Sequence, residues 1–269
     1  MSTKNPLIRE VTDKEVDFFF ENGWVKLPGL IDAEFSAALL DGAKRVFGEN
    51  GDKPLGKDAS LDLAWFRTYD EIANEDERFN ELATSNTLGY NASRLFGRVS
   101  PIRLMQNSLM VKLPTKGGSK QSAATAWHQD TGAHLFSDAN SVNVWVALDE
   151  VGADMGAMQF YSGSHKLGNL GDLKDPEIWE GWQPRIERSC SLTDPVALQP
   201  GDATIHTHFM IHGTKENSGN SPRWAWGAML LPADARYTGA QSYYTDGLGL
   251  EPFGSLEHPN FPVIYKPAG

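Results

Sequence analysis

Residues 201–231 read GDATIHTHFMIHGTKENSGNSPRWAWGAMLL. Apolar and β-branched residues fill 203–211. Turn formers crowd 215–222, with Asn217, Ser218, Gly219 and Asn220 in succession, and a second apolar run occupies 223–231. Two such runs around such a cluster read as strand, turn, strand. Pairing of the two as a hairpin would set His212 beside Arg223 across the ladder. The same texture extends upstream. Short β-like runs recur near 102–112, 124–129, 141–149, 156–161 and 195–199, punctuated by Gly, Pro, Asn and Ser. Strands of this length and spacing predict a mainly β sandwich or barrel, jelly roll included.

Before Pro101 the period changes. Thr12 to Glu15 reads as a capping box ahead of Val16, Phe18, Phe19 and Phe20, in a helix that should stop near Gly23. Trp24 to Leu27 reads as a short strand closed by Pro28. Phe35, Ala38, Leu39, Ala43, Val46 and Phe47 recur at helical spacing over 32–48. Residues 50–60 read as a loop, and a further helix is expected over about 75–96. The polar, Trp-containing stretch 166–190 breaks the strand rhythm; connections of that length often serve as lids or binding loops. No repeat, low-complexity tract or linker divides the chain, so one domain over 1–269 is expected.

Composition narrows the function classes. The 269 residues are 40% hydrophobic with 8 Trp, which supports a sizeable core. Thirty-five Asp and Glu against 24 Lys and Arg give a formal charge of -11. No dense basic block is present, which argues against a nucleic-acid surface. Lys112, Lys116 and Lys120 form only a sparse basic group. Cys190 is the only cysteine, so neither an internal disulfide nor a thiolate metal cluster can be built. The N-terminal residues lack the apolar run of a signal peptide, and no segment reaches the roughly 18 apolar residues of a membrane span. A cytoplasmic, non-membrane protein is expected.

Chemistry begins at Trp127-His128-Gln129-Asp130. In a strand, alternate residues share a face, so His128 and Asp130 can present a nitrogen and an oxygen together. A third ligand would complete the facial triad associated with oxygen-activating iron(II). Three histidines compete for that place: His206, His208 and His212. Only His212 has an arginine, Arg223, at hairpin distance downstream. A guanidinium beside a metal ligand is unexpected unless it binds something anionic. A dicarboxylate chelating the metal at one end and meeting Arg223 at the other explains both, because the planar guanidinium grips a carboxylate bidentately. His206 and His208 are then structural or support the ligands. His134, His165 and His258 lack a partner pattern.

These residues resemble the phytanoyl-CoA dioxygenase family of iron(II)- and 2-oxoglutarate-dependent oxygenases. The resemblance rests on WHQD at 127–130, VNVWVALDEV at 142–151, GAMQFYSGSHK at 156–166, GD at 201–202 and HGTKENSGNSPRWAW at 212–226. It spans about 15–232 and leaves 233–269 as a C-terminal extension. It implies a double-stranded β-helix (jelly-roll) core with N-terminal helices packed on one sheet. It also implies His128, Asp130 and His212 as iron ligands, Arg223 and Thr214 on the distal carboxylate of 2-oxoglutarate, and Trp145, Met110 and Thr125 along the cosubstrate pocket. The bland alternative for Trp145 and Met110 is core packing, and for Thr125 an ordinary strand threonine. Halogenating members lack the carboxylate ligand; Asp130 is present here, which favours hydroxylation.

The resemblance therefore implies a dioxygenase that uses iron(II), 2-oxoglutarate and O2, oxidises an unactivated C–H bond of a small metabolite, and releases succinate and CO2. Wall residues for an apolar or ring-containing substrate are sought at Phe66 to Tyr69, His134 to Phe136, Phe160, 166–190, Trp224 and Trp226. The stretch 240–269 either wraps the domain or packs on a second subunit, so a homodimer is allowed. Two rival functions remain: a non-catalytic jelly-roll binding protein, and a hydrolytic cupin-type metalloenzyme.

Overall fold

The computed structural model describes residues 7–55, 61–115, 123–130, 136 and 141–268. His134, Lys116, Lys120 and residues 56–60 of the expected loop lie outside the described residues. Two antiparallel sheets face each other. The larger runs β1 (Trp24–Leu27), β9 (Ala203–Thr207), β6 (Val142–Ala147), β11 (Arg223–Pro232), β4 (Ile102–Lys112), β3 (Phe66–Asp70) and β2 (Leu61–Asp62). A further strand, β12 (Val263–Tyr265), also pairs with β4. The smaller sheet runs β5 (Thr125–His128), β10 (His212–Thr214), β7 (Met158–Ser162) and β8 (Ser191–Leu192). This is the jelly-roll core expected from the sequence.

The hairpin expectation fails. β10 pairs with β5 and β7, whereas β11 pairs with β4 and β6 in the opposite sheet. The connection 215–222 carries the chain across the sandwich instead of turning it back. Asn217 fixes this crossing, its amide donating to the carbonyls of Lys112 at 3.0 Å and Ser221 at 2.8 Å. The expected strand at 203–211 shortens to β9, because the Met210 N–H turns back to the Thr207 carbonyl at 2.9 Å. Residues 195–199 form no regular strand and contribute a single bridge, Leu198 to Val151.

Four helices precede the core: α1 (Asp13–Asn22), α2 (Ala33–Phe47), α3 (Glu77–Ala83) and α4 (Asn86–Leu95). The Thr12–Glu15 box forms, with the Thr12 N–H donating to Glu15 Oε2 at 2.8 Å and the Glu15 N–H to Thr12 Oγ1 at 3.3 Å. Gly23 ends α1 at φ 79°, and a Cβ there would lie 2.3 Å from His165 Nδ1, so the position needs glycine twice over. The helix expected over 75–96 is two. Ser85 starts α4 afresh as its N-cap, accepting from the Leu88 N–H at 3.4 Å.

These helices cover the outer face of the larger sheet. Phe19, Phe35, Leu39, Phe47, Leu82 and Leu88 share one core with Leu109, Val111, Trp224 and Trp226. Trp224 and Trp226 therefore point away from the sandwich interior and form no substrate wall. Truncating either to Ala should cost about 3–5 kcal/mol. A second core between the sheets joins Trp24, Trp145, Phe160, Met210 and Ala225.

The 166–190 connection is not a lid over that interior. It contains α5 (Pro176–Ser189), which packs on the outer face of the smaller sheet. Trp179 stacks on Trp127 there, ring centroids 6.2 Å apart. The C-terminal extension packs Tyr237, Leu256 and Phe261 onto Met105 and Leu231. Among the described residues no helix is long and apolar enough to cross a membrane.

Candidate metal centre

His128 and His212 are register partners on the adjacent strands β5 and β10, their ring centroids 4.2 Å apart. Each imidazole is oriented by a backbone carbonyl two residues back. His128 Nδ1 lies 2.8 Å from the Ala126 carbonyl, and His212 Nδ1 lies 3.0 Å from that of Met210. A carbonyl only accepts, so both Nδ1 atoms carry the proton. Both Nε2 atoms are left with a lone pair aimed inward, the form a metal requires.

Asp130 completes the group: its carboxylate and the two imidazoles offer ligand atoms all within 4.8 Å of one another. Gln129, between the ligands, points to the other face as strand alternation demands. It donates to the carbonyls of Gly168 at 2.8 Å and Phe209 at 2.7 Å and accepts from the Leu170 N–H at 2.9 Å. That staple fixes the HxD spacing. Asp130 Oδ2 accepts from Asn143 Nδ2 at 2.5 Å and contacts His206 Nε2 at 3.0 Å. Oδ1 faces His128 Nε2 at 3.4 Å. In the neutral tautomer those two atoms present lone pairs to each other, and only a proton or a cation relieves the repulsion. The donor set, two neutral imidazoles and one carboxylate, fits a divalent transition metal.

Electrostatics agree. Burial holds His212 down to about 3, so the ring is neutral across working pH. Burial raises the Asp130 carboxyl, and positive charge among the His212, His128 and His206 rings outweighs it and holds the group well below the usual carboxylate range, the place a metal cation takes when the rings are neutral. Neither residue must lose a proton to a buffer before binding metal.

The ligands open into a cavity of about 380 Å³ between the sheets, lined also by Met110, Thr125, Trp145, Thr214 and Arg223. All eight residues singled out from the sequence thus meet in one place. Arg223 is 3% exposed and lies over the Trp145 ring, Cζ 5.0 Å from its centroid. Nη1 donates to the Gly156 carbonyl, and Nε has no partner. No carboxylate pairs with this guanidinium among the described residues. Burial lowers it to about 10, so it remains charged. A buried, unpaired cation with an orphaned donor, set in the wall of a metal-binding cavity, fits an anionic ligand.

Of the sequence-proposed wall residues, Phe66 lines the cavity, whereas Phe160 is packed behind His212 and no residue of 166–190 reaches it. Among the cavity residues not foreseen are Gln106, Ser108, Asn143 and Met229, with Val144 and Ala228 as apolar neighbours. Asn143 was readable, being two residues from Trp145 on the same strand face. The His208 ring lies against Ser141, its Nδ1 3.2 Å from the Ser141 carbonyl, and the His208 backbone carbonyl accepts from the Asp130 N–H at 2.9 Å.

Comparison with known proteins bears on this geometry. The chain matches the profile of the family described as phytanoyl-CoA dioxygenase (PhyH) over residues 19–225. Dioxygenase cdmD of Talaromyces verruculosus is 28% identical over 129 residues, 45% of this chain, and the match spans only 38% of that protein's length. The epimerase SnoN, solved in complex with Fe3+, alpha ketoglutarate and nogalamycin RO, superposes with a TM-score of 0.74 at 23% identity, over 94% of this chain and 98% of SnoN. The alpha ketoglutarate-dependent carbocyclase SnoK from nogalamycin biosynthesis gives a TM-score of 0.75 at 22% identity, over 94% and 96%. At such identities the structural likeness is one of fold.

Proposed function

This chain belongs to the phytanoyl-CoA dioxygenase family of iron(II)- and 2-oxoglutarate-dependent oxygenases, and we propose that it hydroxylates a C–H bond of a small organic metabolite, releasing succinate and CO2. His128, Asp130 and His212 would hold the iron, which when bound supplies the centre for O2 activation at the expense of 2-oxoglutarate. The remaining tasks fall to the chain. Ala126 and Met210 hold the imidazoles in the ligating tautomer. Arg223 takes the distal carboxylate, with Thr214 beside it and Trp145 fixing the plane of the guanidinium. Met110 and Thr125 close the cosubstrate end.

The observation that carries this reading is Arg223, a buried guanidinium without a protein anion among the described residues, in the same cavity as a His-Asp-His ligand set. Activating a water for hydrolysis requires no clamp for a distal carboxylate. Beyond the ligands, Phe66, Val144, Ala228 and Met229 give apolar walls, while Gln106, Ser108 and Asn143 add polar groups. That lining supports a compact, largely apolar substrate carrying a few hydrogen-bonding groups.

The test is succinate release by the Fe(II)-loaded protein in air with ascorbate, across a metabolite panel. The expected hit stimulates succinate formation and gains one oxygen atom. Failure to bind Fe(II) and 2-oxoglutarate would remove the oxygenase reading. A stimulated reaction whose product gains no oxygen would replace hydroxylation with a rearranging or epimerising outcome.

A further inference from the structure

Lys112 ends β4 and is fully buried. Its register partner on β11 is Arg223, so the two cations leave neighbouring strands on one face. Lys112 Nζ donates to Thr214 Oγ1 at 2.5 Å and to the Lys215 carbonyl at 2.7 Å. No carboxylate forms an ion pair with Lys112 or Arg223 among the described residues. Thr214 and Arg223 line the cavity, while Lys112 stands behind Thr214. Two adjacent buried cations without a protein anion are costly unless a ligand shares them.

The hydroxyl of Thr214 has one proton and two lone pairs. An ammonium can only donate, so Thr214 Oγ1 accepts from Lys112 and must turn its own proton elsewhere. The cavity is where an acceptor would meet it. We propose that Lys112 is a positioning residue for the cosubstrate, locking Thr214 as a hydrogen-bond donor to the distal carboxylate and adding a second positive charge beside Arg223. This rests on the reading that the cavity takes 2-oxoglutarate.

The ionisation of Lys112 supports it. Burial and then Arg223 push the ammonium down to about 7, while Glu216 acts in the opposite sense. A dicarboxylate arriving beside it favours the charged form. Binding then takes up part of a proton near neutrality, and affinity falls as pH rises above about 7. Arg223, lowered only to about 10, stays charged over that range.

The experiment is calorimetric titration of anaerobic Fe(II)-loaded protein with 2-oxoglutarate and with 2-oxopentanoate, which has the same chain length but no distal carboxylate. Lys112→Met keeps length and burial. The variant should bind 2-oxoglutarate about 10- to 100-fold more weakly, the range of a charge-assisted hydrogen bond, and 2-oxopentanoate as the parent does. Its 2-oxoglutarate affinity should also lose the decline between about pH 7 and pH 9 that the parent shows. Adding Thr214→Val to Lys112→Met should weaken binding little further. Equal losses for both ligands, no loss, or fully additive losses in the double variant would overturn the proposal. Should Lys112→Met not fold, a parent affinity that is flat with pH overturns it as well. A parent protein that binds Fe(II) but no 2-oxoglutarate strikes the reading of the cavity itself, a result distinct from all of these.

Discussion

His206 Nε2 stands 3.0 Å from Asp130 Oδ2, on the oxygen that also takes the Asn143 amide. Two donors on one oxygen orient the carboxylate and turn Oδ1 toward His128 and the metal position. Groups that orient a ligand typically contribute 10- to 100-fold to metal affinity. His206→Phe should therefore weaken Fe(II) binding by about 10- to 100-fold. His212→Ala should abolish stoichiometric binding, and His208→Ala should leave it nearly unchanged. Anaerobic Fe(II) titration ranks the three. A loss for His206→Phe as complete as that for His212→Ala would make His206 a ligand and displace the present set.

The ranking of these histidines shows what sequence could and could not deliver. The HxD spacing was readable because strand alternation is local. The pairing of His212 with Arg223 was also expected, but on a hairpin that does not exist. The two residues face one cavity from opposite sheets, and eight residues of connection are long enough to make either arrangement. Trp224 and Trp226 were misread as substrate walls. Alternation from an inward Arg223 already sends both outward, toward the helices. The role of 166–190 was not legible, because a polar stretch with spaced Trp residues does not say which face of a sheet it will cover. Lys112 was hidden for a similar reason: nothing local marks a lysine whose partner lies 102 residues away.

Arg223→Leu should separate cosubstrate binding from metal binding. The substitution removes the fork and leaves an apolar side chain on the Trp145 face. Losing one partner of a buried charged pair costs about 2–5 kcal/mol, so 2-oxoglutarate affinity should fall by at least about 30-fold. Fe(II) affinity should stay within about threefold, since Arg223 touches no ligand atom. Parallel titrations of metal and cosubstrate measure both. Unchanged 2-oxoglutarate affinity would move the distal-carboxylate site elsewhere in the cavity.

Glu71 should give the protein a pH-dependent stability unrelated to the metal. Burial raises its carboxyl to about 7, partly opposed by the Asn107 hydrogen bonds and reinforced by Asp70. Asn107 donates to it through the backbone at 3.4 Å and through the side-chain amide at 3.1 Å. The folded pKa lies above the unfolded value of about 4.3, so the folded state binds more protons between them. Stability should therefore rise as pH falls from about 7 to about 5, by about 1 kcal/mol from this group once solvent screening of a part-exposed carboxyl is allowed for. Glu71→Gln should flatten that trend and be the more stable protein at about pH 8. Urea unfolding at several pH values decides it; a variant that keeps the parent's slope would assign the dependence to other groups.

Gly227 and Met110 make the narrowest prediction. Gly227 sits on β11 opposite Trp145, and a Cβ there would come within 2.7 Å of Met110 Cε and 3.4 Å of the Val144 carbonyl. The thioether end is flexible, so Met110 can swing aside, and the space open to it is the cavity both residues line. Gly227→Ala should thus leave the melting temperature within a few degrees, because reduced unfolded-state entropy offsets part of the clash. The cosubstrate should feel the change instead. The KM for 2-oxoglutarate should rise about 3- to 10-fold, the scale of about 1 kcal/mol. Shortening the displaced side chain in Gly227→Ala/Met110→Ala should restore most of that loss. A double variant as weak as the single one would show that the backbone of β11 has moved, and would put Met110 back among ordinary core residues.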